Sequence, residues 1–180
     1  MADDRRIKRT RRALAAAMKE LAAERAYESI TVRDITDRAD VGYATFYRHY
    51  DSKDALMLEL FQSVTDSLEA LPVEAGAEYY RNEGRVVFTQ VKENAAAFRS
   101  ILDSLVFTRK LRQSLMDHIR RGMKRQGFLP SRSAIPPEVV VHHMAVSVIG
   151  LVEWWLDEKM QTPVDKMARI YEWLIRQAGL

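Results

Sequence analysis

The run Tyr43-Ala44-Thr45-Phe46-Tyr47-Arg48-His49 combines hydroxyl, aromatic, small and basic side chains and contains no acid. Hydroxyl and basic groups donate hydrogen bonds to phosphate oxygens and base edges, and the methyl groups of Ala and Thr match a thymine methyl. The chemistry on offer is therefore recognition of a double helix through its major groove. A surface helix of chance composition is the plain alternative. Two neighbouring features stand against it. Thr31 followed three residues later by Asp34 is a capping box, which starts a helix at Val32. Asp40-Val41-Gly42 then breaks that helix after Ala39, with two residues that tolerate left-handed backbone. Two short helices joined by such a turn form a helix-turn-helix.

Catalytic chemistry finds no comparable set. No Cys is present, which excludes disulfides, thiolate metal sites and cysteine nucleophiles and suits a reducing cytoplasm. Of the 4 His, the adjacent His142 and His143 point about 100° apart on a helix and cannot share one metal. No His-Glu-x-x-His, phosphate-loop or Gly-x-Ser-x-Gly pattern occurs. The expectation is no enzyme, no cofactor and no metal. The charged start MADDRRIKRT, where a secretory signal needs an apolar stretch, predicts no export and so a cytoplasmic location.

The 180 residues are 47% hydrophobic and 29% charged, which fits one domain or two small ones sharing a core. With 7 Gly and 5 Pro the chain is too poor in turn residues for a β-sandwich. The net charge of +3 is unevenly placed: residues 1–53 hold 12 Lys/Arg against 9 Asp/Glu, and residues 54–180 hold 16 of each. Arg5, Arg6, Lys8, Arg9, Arg11 and Arg12 form a basic pole, fit for a polyanion or merely a solubilising tail.

Helical periodicity runs through nearly the whole chain and predicts an all-α fold. Residues 5–25 place Leu14, Met18 and Leu21 on one stripe, against which Ile35, Ala39, Val41, Phe46 and Tyr50 should lock the two short helices. Residues 52–70 repeat Leu56, Leu60, Val64 and Leu68, ended by Pro72 and Gly76. Two or three helices fall in 76–127, with Leu105 among their apolar markers and Gly127 closing the last before a loop over 128–137. Residues 137–158 are apolar on nearly all sides. His142, His143 and Glu153 interrupt the stretch, so no membrane span is expected, and a helix buried on one side by its own core and on the other by a partner subunit fits better. Thr162-Pro163-Val164-Asp165 predicts a final helix over 164–178, with Thr162 as cap and Pro163 in the first position.

Over roughly residues 8–61 the chain resembles the TetR family of bacterial transcriptional regulators. The resemblance is carried by a long first helix, then Thr31, Ile35, Ala39 and Val41, then Thr45-Phe46-Tyr47-Arg48-His49-Tyr50, Ser52-Lys53-Asp54 and Leu56. It departs in the turn, where the family usually has Gly-Val-Ser: Asp40 adds strain, and Gly42 loses a side-chain cap of a few tenths of a kcal/mol. The run Gly150-Leu151-Val152-Glu153-Trp154-Trp155 is similar to the penultimate helix of one subgroup.

The resemblance implies an N-terminal three-helix helix-turn-helix DNA-binding domain in residues 1–53 and a C-terminal helical ligand-binding and dimerisation domain in residues 54–180, with about nine helices in all. It implies that Thr31 contacts phosphate and Arg33 a base or phosphate. Tyr43, Ala44 and Thr45 would face base edges, Tyr47 and His49 would bond phosphates, and Lys53 would add charge at the start of the next helix. Phe46 and Tyr50 fall to the core. A palindromic operator read by a homodimer, repression as the usual mode, and release by a small-molecule effector are implied with it.

Phe88, Phe98, Phe107, His143 and Trp154 are candidate walls for the effector, or plain core. Val148, Leu151, Trp155, Met167, Tyr171 and Leu174 are candidates for a dimer interface in which the last two helices pair as a four-helix bundle; the alternative is that both helices complete a monomeric core. The segment Arg109–Arg125 has seven basic residues against Asp117, for an anionic effector or a solvated face. A different class of reading, an all-helical interaction protein or a membrane-surface adaptor using the basic first helix, stays open beside these.

Overall fold

The computed structural model describes residues 2–72, 76–125 and 135–177, without the side chains at 2–4, 61, 63, 64, 106 and 125. Among the described residues there is no strand. The order is α1 (Ala2–Glu24), a 3-10 turn (Tyr27–Ser29), α2 (Val32–Ala39), α3 (Tyr43–Tyr47), α4 (Lys53–Glu69), α5 (Ala77–Glu93), α6 (Ala95–Leu102), α7 (Leu105–Arg125), α8 (Pro137–Asp157) and α9 (Val164–Gln177). The expected stop at Gly127 and most of the loop after it lie outside the described residues.

The chain divides into two compact units, Met1–Ser63 with Asn94–Thr108, and Val64–Glu93 with Arg109–Leu180. In the first, α1 buries Leu14, Ala17, Met18 and Leu21, the stripe its periodicity predicts. α2 packs on α1 and α3 on α2, and Ile35, Phe46, Tyr50, Leu56 and Met57 are buried. α6 also packs on α1. The Ser100 hydroxyl donates to the Arg25 carbonyl at 3.2 Å, and the Phe107 ring meets Tyr27 edge-on at 5.6 Å. This division falls inside α4 and gives α6 to the first unit. Partners 75 residues apart leave no periodic trace in the sequence.

The second unit is built on a seam between α5 and α9. Gly84 permits it: a Cβ there would lie 3.0 Å from Cβ of Tyr171 and 3.1 Å from Cα of Ala168. Phe88 sits edge-on to Trp155 at 5.2 Å and to Tyr171 at 6.4 Å. Arg81 pairs with Glu172 and Arg85 with Asp165, each at 3.0 Å. α9 starts at Val164, as expected, but with its cap moved from Thr162. The Pro163 carbonyl accepts from the amides of Lys166 and Met167, so Pro163 takes the cap position; the Thr162 carbonyl instead accepts from the Trp155 indole at 2.8 Å.

α8 is long and apolar enough to cross a membrane by length and composition, and half of that stretch is buried in the fold. Val141, Met144, Ala145, Val148, Val152 and Trp155 face inward. Val139, His143, Val146, Gly150 and Trp154 follow one another at steps of three or four and are all exposed, which makes a second, outward stripe. Leu105, expected among the apolar markers of the core, begins α7 and is 88% exposed.

Candidate nucleic-acid interface

The site begins with the capping box of α2. The Thr31 hydroxyl accepts from the Asp34 amide at 3.2 Å, and the Asp34 carboxylate accepts from the Thr31 amide at 2.8 Å. The Thr31 hydroxyl also donates to that carboxylate, and Arg25 pairs with it at 3.0 Å. These hydrogen bonds, those from Thr31 first, push the Asp34 pKa down to about 2. At the other end Arg38 grips Glu24 with both guanidinium nitrogens at 2.8 Å and reaches Glu20 at 3.3 Å, which ties α2 to α1.

The turn closes on Asp40, whose backbone is left-handed (φ 51°), while the Val41 amide donates to the Thr36 carbonyl at 3.0 Å. Gly42 is extended at φ −61°, so the turn does not use its conformational freedom; it caps α3 with its carbonyl alone. α3 is only five residues long and is anchored by Phe46, which is fully buried. The anchor leaves Tyr43, Ala44, Tyr47 and Arg48 exposed and Thr45 and His49 half-buried. The structure thus brings Tyr43, Ala44, Thr45, Tyr47 and His49 onto one short element, with Thr31 and Arg33 exposed at the start of α2. The hydroxyls of Tyr43 and Tyr47 lie 3.3 Å apart, and Tyr43 holds the Tyr47 phenol above its ordinary pKa.

Lys53 begins α4, as expected, and its side chain is also engaged within the protein. Its ammonium donates to the carbonyls of Tyr27, Glu28 and Ile30 at 2.8, 3.2 and 2.7 Å and lies 4.5 Å from the Tyr27 ring centre. Burial lowers its pKa. The Tyr27 hydroxyl donates to the neighbouring Asp54. Lys53 thus fixes the loop that delivers Thr31, and it is this use of its side chain that the sequence motif did not reveal.

The residues expected to wall an effector divide between the two units. Phe98 and Phe107 are buried in the first unit. In the second, Phe88 is core, Trp154 is 47% exposed, and His143 lines a groove between α8 and α9 with Ser147, Leu151 and Leu174. The groove holds about 60 Å³, far less than the roughly 300–1,000 Å³ of a small-molecule site. Val148 and Tyr171, both expected at a dimer interface, also border it. Trp155 and Met167 are fully buried, and the Tyr171 hydroxyl donates to Glu83 at 3.0 Å. These three belong to the protomer's own core, because the α5–α9 seam takes the very face that amphipathicity marks on α9.

In the basic segment of α7, Arg120 pairs with Glu138 and Asp117, and Arg121 with Glu69. These pairs match an ion-paired surface better than an anion site. Sequence reasoning missed a buried polar cluster: Glu83 accepts from Tyr171 and faces His118 Nε2 at 3.1 Å, with all three residues buried. Nδ1 of His118 has no hydrogen-bond partner. The available signal was an acid on the apolar stripe of α5, in step with Tyr79 and Val87, and a His in step with Leu111 and Leu115 on α7.

Residues 13–60 match the family of bacterial regulatory proteins, tetR family, and residues 85–177 match a transcriptional regulator C-terminal region. The uncharacterized HTH-type transcriptional regulator YxbF of Bacillus subtilis (strain 168) is 28% identical over 174 residues, 92% of this chain; the chain spans 44% of that relative's length. The crystal structure of a TetR transcriptional regulator from Streptococcus agalactiae 2603V is similar with a TM-score of 0.69 at 24% identity, covering 97% of this chain and 98% of that one. The dihydroxyacetone kinase operon activator DhaS shares the fold with a TM-score of 0.63 at 16% identity over 93% of this chain and 94% of its own. Two family matches reaching from the first helix to the last leave one assignment: the chain belongs to the TetR family, whose members regulate transcription and are not enzymes.

Proposed function

We propose that the protein is a repressor that binds a palindromic operator as a homodimer and leaves it when a small molecule binds. The observation that carries this reading is the outward face of α3, acid-free and exposed at Tyr43, Ala44, Tyr47 and Arg48, on a helix held rigidly by Phe46. Ala44 and Thr45 would meet base edges, Tyr47 and His49 would bond phosphates, and Thr31 would do so by turning its hydroxyl away from Asp34. Arg33, exposed on α2, would reach a base or phosphate.

One five-residue helix reads too little sequence alone, so two copies about 34–36 Å apart would enter successive major grooves. The outward stripe of α8 supports the pairing, since Val146 and Trp154 are large apolar side chains left 44% and 47% exposed. The groove residues Leu151 and Leu174 would continue that face across a two-fold axis. The buried Glu83–His118–Tyr171 cluster supports effector binding, because a polar cluster in a core is no more stable than an apolar one and leaves the buried Nδ1 of His118 without a partner. DhaS is named an activator on the same fold, so the sign of regulation rests on the family's usual mode. A cytoplasmic location goes with this reading.

Selection of bound duplexes from random DNA tests it. An inverted repeat with half-sites about 10 bp or a multiple apart is expected. Enrichment of no sequence at low salt would overturn the reading.

A further inference from the structure

We infer that Tyr43 and Tyr47 act as one two-pronged clamp on a single DNA phosphate, so that Tyr43 positions the protein and does not read a base. The inference rests on the DNA-binding reading above and changes the role expected of Tyr43.

The two residues stand one helical turn apart on α3. Their rings meet edge-on at 5.2 Å and 66°, and the Tyr47 ring leans on buried Phe46 at 5.4 Å. Both are about half exposed, at 55% and 47%. Two such phenols have room to splay into water, yet their hydroxyls converge to 3.3 Å. In the free protein one hydroxyl donates to the other, which leaves one proton facing outward. A phosphodiester offers two non-bridging oxygens and no donor. It accepts one hydrogen bond from each phenol, so a weak neutral bond gives way to two charge-assisted ones.

The surroundings select an anion. Residues 41–50 contain no carboxylate, and Arg48 and His49 follow directly. A guanine edge is the other surface with two adjacent acceptors, N7 and O6, but it carries no charge to strengthen the bonds. The shared endpoint of the hydroxyls also ties Tyr43 to whatever Tyr47 touches.

The test uses the full chain, its best selected duplex, and that duplex with single base changes. Tyr43→Phe and Tyr47→Phe should each weaken binding about tenfold on every duplex alike. The double variant should bind more weakly than either single one, because a phenol left alone still gives the phosphate one bond. The salt slope should stay unchanged, since no cation is removed. Circular dichroism and Tm should match the unaltered chain, since both positions are exposed. A changed base preference in Tyr43→Phe or no loss at Tyr43 would each overturn the clamp while leaving DNA binding intact. An unaltered chain that binds no duplex would overturn the regulator reading and the clamp together.

Discussion

Asp34 closes the first turn of α2 by accepting both the amide and the hydroxyl of Thr31, with Arg25 alongside. Its carboxyl titrates at about 2 in the folded chain, below the roughly 3.9 of an unfolded one. The stabilisation is therefore fully present above pH ~4 and is lost as pH falls from ~4 toward ~2. Urea melts across that window should show it, and Thr31→Val should flatten the slope because it removes the largest cause of the shift. This pair was legible in the sequence because its partners are three residues apart. Lys53 was not, because the carbonyls it gathers lie 23 to 26 residues upstream and a carbonyl has no residue type to read.

Elements depend on how closely two helices approach, and α5 and α9 approach at Gly84. Gly84→Ala should destabilise the fold by about 1–3 kcal/mol, since the new methyl meets the Ala168 backbone, which cannot rotate away. A lower urea midpoint at unchanged m would register it. The helix starts at Val32 and Val164 could both be read from local signals. α3 is different. Five residues cannot hold a helix alone. Its existence follows from the burial of Phe46 under α2, and its exposed face follows from that burial.

At the scale of the molecule, the outward stripe of α8 decides the assembly proposed. Val146→Glu should yield a folded monomer by sedimentation, with unchanged helical content and weakened operator binding, because the side chain is 44% exposed in the protomer and touches a partner only in the dimer. Val148, 7% exposed, would mix loss of folding with loss of pairing and is the poorer probe. A dimer that survives Glu at 146 would place the interface elsewhere. Periodicity marked α8 as apolar all round, which told that two faces must be covered, yet the sequence reading put Trp154 on an effector wall and Trp155 at the dimer interface. Packing separated them: Trp155 is buried on Phe88 with its indole on Thr162, and Trp154 is left outside.

The sequence alone determined the all-α class, the capped helix and turn before α3, and the buried role of Phe46 and Tyr50, because each rests on residues within one or two helical turns of each other. Only the tertiary structure decided that α6 joins α1, that Lys53 braces a loop, that Tyr171 turns inward to Glu83, and which face of α8 is left bare. Those outcomes are set by contacts between residues far apart in the chain, where no spacing rule reaches.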